Sequence, residues 1–175
     1  MHHIILGLLF LLSGFFMKLS DDYSDINKDL KLASLTGILC AIASFLATVY
    51  DVDAACILIG ILIGNFLVLK VDGIHHILTL ILYLLLCIIF GIPQLSIVVL
   101  LICVLSALSD EVGHELISNV TKNSYIVLFF EYRFVMKVVI LLLAIFGVFN
   151  ILTFLCFILF EIAYELAGFI FEKLN

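Results

Sequence analysis

In four stretches of this 175-residue chain the first acidic residue is followed, four positions later, by a second group able to ligate a metal or carry a proton. The pairs are Asp21 with Asp25 in "LSDDYSD", Asp72 with His76 in "KVDGIHH", Asp110 with His114 in "LSDEVGHE", and Glu161 with Glu165 in "FEIAYE". On a helix, a spacing of four puts both side chains on one face about one turn apart, so each pair can address one point in space. Carboxylates and imidazoles with no thiolate beside them suit Mg, Mn, Fe or Zn rather than copper(I) or an iron–sulfur cluster. Asp21, Asp25, Asp72, His76, Asp110, His114, Glu161 and Glu165 are therefore the expected ligands of a divalent metal. Ferritin-like di-metal proteins gather carboxylate and Glu-x-x-His groups from facing helices in a comparable way. His75 would face away from the Asp72 side of an ideal helix and is expected to play a supporting part.

Glu161 and Glu165 set the terms for the other acids, because they lie within an apolar run, about 10 and 14 residues from its start. An acid near the middle of a membrane helix costs roughly 2.5 to 3.5 kcal/mol, so the two together cost about 5 to 7 kcal/mol unless partnered, protonated or wetted. A shared cation, the basic pair Arg133 and Lys137, or a proton could answer that cost. Arg133 and Lys137 are also placed to clamp an anionic head group, and His114 to move protons, which makes these three the candidate catalytic residues. Tyr164, beside Glu165, could hydrogen-bond within the site.

The elements that must hold these groups are membrane helices. Hydrophobic residues make up 66% of the chain and charged residues 13%, outside the range of soluble globular domains. Breaking the sequence at its charges and its one proline gives seven spans, at about 4–19, 32–50, 54–70, 77–92, 95–109, 130–149 and 151–171. All eight basic residues fall on one side of such a bundle, which makes that face cytoplasmic, with the N-terminus outside and the C-terminus inside. The expected fold is an all-α, polytopic membrane helix bundle, one integral domain over 1–175, multi-pass in the cell membrane. With no basic n-region and no small-residue cleavage site before Lys18, the first segment is expected to stay as a helix. Three of the four pairs lie just beyond the ends of the first, third and fifth spans, so extending these spans by a turn or two brings the pairs to the cytoplasmic interface, while Glu161 and Glu165 lie inside the seventh.

Smaller signals fit the same frame. Cys40, Cys56, Cys87, Cys103 and Cys156 all sit in apolar runs and read as small hydrophobes. Gly60 and Gly64 form a G-x-x-x-G on the third span, a close-packing surface expected to serve within the chain, although a homodimer stays open. Asn65 is a lone membrane amide, expected to bond a neighbouring helix. His2 and His3 fall on the outer face, and the sequon Asn119–Thr121 on the cytoplasmic one.

"DDYSDINKD" resembles the first aspartate motif of the UbiA-type membrane prenyltransferases, with Asp21, Asp22, Asp25 and Asp29 at the matching positions. "DEVGHE" is similar to that family's second motif at Asp110 and Gly113, with His114 where an aspartate is expected. The resemblance implies that these acids bind magnesium and a prenyl diphosphate. It spans about a dozen of the 175 residues, and members of that family are longer.

Two function classes follow. One is a metal site open to the cytoplasm, acting on a lipid or polyprenyl phosphate as a hydrolase or transferase, with membrane lipid around it and no nucleic-acid partner. The other is a transporter of divalent cations or protons, although the outer halves of the spans offer few polar groups for a full-depth path. A small accessory subunit of a membrane complex is a third reading. No Walker loop, nucleophile elbow, His-Glu-x-x-His or nucleotide fingerprint names a substrate.

Overall fold

A computed structural model describes residues 2–69, 73–120 and 123–174. Among them are eight helices and no strand: α1 (His2–Asp25), α2 (Leu30–Tyr50), α3 (Val52–Leu67), α4 (Ile74–Phe90), α5 (Ile97–Val120), α6 (Ser124–Glu131), α7 (Phe134–Ile145) and α8 (Ile151–Leu174). Four are long and apolar enough to cross a membrane, namely α1, α2, the Ile97–Ile117 stretch of α5, and α8. Large apolar side chains such as Leu35, Leu46, Ile88, Leu105 and Leu155 point outward. A continuous apolar exterior of this kind suits lipid as the surrounding solvent.

The helix ends are set by short polar side chains. Asp29 accepts hydrogen bonds from the Lys31 and Leu32 N–H groups at 3.0 and 3.1 Å and starts α2, so this residue of the prenyltransferase-like motif serves as a cap. Asp51 alone turns α2 into α3, accepting from the Ala54 N–H at 2.9 Å. Asn123 caps α6 and Asn150 caps α8 in the same manner. Asp53 of α3 takes the Asn150 N–H at 2.7 Å and so ties the start of α3 to the start of α8.

Helix packing runs round a closed circuit. α1 lies on α2, α2 on α3, α3 on α5, α5 on α7, α7 on α8 and α8 on α1, with α4 laid against α2 and α6 against α5 and α7. Glycines permit the closest approaches: a Cβ on Gly14 of α1 would meet the Phe160 carbonyl of α8. On Gly60 and Gly64 of α3, a Cβ would meet Cys103 and Ala107 of α5, so the G-x-x-x-G face packs within the chain. Leu6, Phe10, Ile57, Cys103, Ile140 and Phe157 fill the end of the circuit near the start of α1. The opposite end is not filled by apolar side chains and holds a cavity.

The expected span 130–149 is divided. α6 ends at Glu131, Arg133 takes a left-handed conformation (φ 49°), and α7 begins at Phe134 and closes before Gly147 (φ 72°). The odd-numbered helices α1 and α5 continue past their apolar runs, to Asp25 and Val120, and α8 continues to Leu174.

Candidate metal centre

The last turns of α1 meet the first turn of α4. α1 has no glycine or proline after Gly14 to stop it, and Ser20 donates to the Ala33 carbonyl of α2 at 2.8 Å, fixing its end against α2. α4 starts at Ile74 after Gly73, and His75 and His76 occupy its first turn with ring centroids 4.0 Å apart. A side chain on Gly73 would meet the His75 ring, and one on Gly37 of α2 would meet Thr79 and Ser20, so small residues let three helices close on this point.

Asp21, His75 and His76 each bring one ligand atom there, all within 4.8 Å of one another. His76 Nε2 lies 3.7 Å from Asp21 Oδ1. Tyr164 of α8 donates its hydroxyl to Asp21 Oδ2 at 3.3 Å and so orients the carboxylate from the neighbouring helix. One carboxylate with two imidazoles is a donor set used by zinc and by non-haem iron, with positions left open for water or substrate. Donors about 2.0 to 2.2 Å from a four-coordinate ion stand roughly 3.4 Å apart, so small side-chain rotations would close this group on one. The residues fit a divalent metal.

The group sits in a cavity of about 660 Å³ whose charges do not balance. Six carboxylates line it, from Asp21, Asp22, Asp25, Asp110, Glu111 and Glu161, against three permanent cations, Lys18 and Arg133 in the lining and Lys137 behind Glu161. Lys18 pairs with Asp22 at 2.9 Å, and Arg133 Nε with Glu111 at 2.7 Å. Both cations lie against the Tyr164 ring, at 5.5 and 6.0 Å from its centroid. A surplus of acid inside low-dielectric walls favours a bound cation.

The eight expected ligands are distributed more widely than their spacing suggests. Asp21 and His76 join the group together with His75. Asp25 lines the cavity mouth at an exposed position, outside the ligand group. Asp72 lies outside the described residues. Both oxygens of Asp110 serve to cap α7, accepting from the Val135 N–H at 2.9 Å and the Met136 N–H at 2.7 Å. His114, one turn on, is exposed and away from the cavity, because α5 has by then passed the start of α7. Glu161 pairs with Lys137 at 2.8 Å, and that ammonium also donates to the Tyr132 and Arg133 carbonyls, holding the α6–α7 break. Glu165 is exposed on a separate, mostly apolar groove beside Phe169. Of the three candidate catalytic residues, Arg133 reaches the cavity, Lys137 forms its wall through Glu161, and His114 does neither.

His75 and Glu111 emerge as site residues that spacing did not single out. The expectation that His75 faces away does not hold, since a spacing of three keeps a side chain on the same helical face as a spacing of four does, and His75 stands beside His76 in the first turn of α4. Glu111, itself four residues before Glu115, was passed over because the stretch was aligned on its first acid, Asp110. No protein-family model, no curated protein and no solved structure matches the chain.

Proposed function

We propose that the chain is a multi-pass membrane protein that binds one divalent metal at Asp21, His75 and His76 and uses the adjoining cavity to act on a lipid or polyprenyl phosphate. The convergence of those three ligand atoms within 4.8 Å, at the mouth of a cavity with surplus carboxylate, carries the reading. Two imidazoles suit zinc or iron better than magnesium or manganese. The eight basic residues support a cytoplasmic cavity mouth, with the N-terminus outside, the C-terminus inside and seven crossings in which α6 and α7 share the sixth. The apolar core that fills the other end of the circuit supports a one-sided site over a transport path.

Each residue has a part in this proposal. A metal bound there would polarise a phosphoryl oxygen or lower the pKa of a bound water. Arg133, opposite the metal group across Tyr164, receives the anionic head by exchanging part of its pairing with Glu111. Tyr164 positions Asp21. The Lys137–Glu161 pair keeps the α6–α7 break, and with it Arg133, in place.

Elemental analysis of the detergent-purified protein tests the metal. Wild type is expected to carry about one zinc or iron per chain, and the Asp21→Asn and His75→Ala variants, still monodisperse, to carry a tenth of that or less. A wild type that stays metal-free when supplied with both ions would end the proposal.

A further inference from the structure

The cavity is sorted along its depth. Its charged groups come from the last turns of α1, the first turn of α4, Asp110 and Glu111 of α5, Arg133 before α7 and Glu161 of α8. Its lining continues along α2 from Gly37 to Ser44 and along α4 from His75 to Tyr83, which at 1.5 Å per residue is about 12 Å of depth. The far end presents Ala41, Leu58, Leu62 and Leu80. Two hydroxyls there are engaged with neighbours: Ser44 with Ser13 at 2.5 Å, and Tyr83 with Thr48 at 2.7 Å. Beyond them Tyr83, Ala41 and Phe45 pack with Ile59, Leu62 and Leu86 and close the space.

We propose that this deep half holds the apolar chain of an amphiphile whose phosphate head meets the metal group and Arg133, and that the Tyr83–Thr48 pair ends the room for that chain. The inference rests on the metal-and-phosphate reading above and narrows its lipid or polyprenyl phosphate to one whose apolar chain is short. A bare phosphate would fill the mouth and leave the recess behind it unfilled. A full lipid tail does not fit, since about 12 Å is shorter than the roughly 15 Å of one leaflet's hydrocarbon. The acid surplus adds a condition: an anionic head enters only once the cation is bound, because Asp21, Asp25 and Asp110, the lining carboxylates not paired with a lysine or arginine, otherwise repel it.

The probes are inorganic phosphate and butyl, octyl, dodecyl and hexadecyl phosphate, titrated calorimetrically into zinc-loaded protein. Octyl phosphate is expected to bind at least tenfold more tightly than phosphate, butyl phosphate or hexadecyl phosphate, and chelation of the zinc to abolish its binding. Tyr83→Ala is expected to move the optimum to dodecyl phosphate. Leu62→Trp, which fills the recess, is expected to cut octyl phosphate affinity at least tenfold with zinc content unchanged, and can be read even if Tyr83→Ala does not fold. Affinity that climbs steadily with chain length, alike in wild type and Leu62→Trp, would overturn the inference, as would equal binding of phosphate and octyl phosphate. Zinc content is measured in each sample. A protein that binds zinc without chain-length preference fails here alone, whereas a protein without zinc fails at the metal centre.

Discussion

Tyr164 joins the two halves of the site, since its hydroxyl reaches Asp21 at 3.3 Å while its ring lies against Lys18 and Arg133. An outer hydrogen bond to a metal-ligating carboxylate is generally worth 10- to 100-fold in metal affinity, and this one is long, so Tyr164→Phe is expected to weaken zinc binding about tenfold. Competition against a chelating dye would measure it, and an unchanged affinity would show that Tyr164 serves packing alone. At this scale the sequence was legible at Glu161 and not at Glu165, which stands in the same apolar run yet lies exposed on a separate groove. Glu161 demanded a partner, and the structure supplies Lys137 at 2.8 Å. It was illegible where a carboxylate could serve either backbone or metal, as at Asp110, because capping and ligation ask for the same side chain.

α7 depends on that choice. Its first N–H groups would face a low-dielectric interior without acceptors, and the two oxygens of Asp110 take two of them. Asp110→Ala is therefore expected to destabilise the protein by about 1 to 2 kcal/mol, seen as a lower thermal midpoint in detergent, with metal content unchanged. Loss of metal with no loss of stability would instead make Asp110 a ligand. Elements with long apolar runs were legible: α1, α2, α5 and α8 lie close to the expected spans, and α1 and α5 continue helically past them. The α6–α7 break was not, because the residues across it, "FEYRF", include no glycine or proline. The turn is instead held by Lys137 on the Tyr132 and Arg133 carbonyls, a tertiary cause. His75 was legible in principle, because a residue three positions from Asp72 shares its helical face.

Across the whole molecule, one end of a closed helical circuit is packed with apolar side chains and the other is hollow and acidic. If the basic residues mark the cytoplasmic side, a reporter fused after Lys173 will be active only inside the cell; activity outside would reverse the assignment of the cavity mouth. The account's central claim is that three side chains from two helices share one metal. Cobalt(II) titration followed by visible absorption addresses it most directly, since band intensity reports coordination and the end point reports stoichiometry. The account predicts saturation at about one cobalt per chain in wild type and in His114→Ala, and no saturable band in Asp21→Asn or His75→Ala. Saturable binding that survives both of the latter variants, or that is lost in His114→Ala, would contradict it.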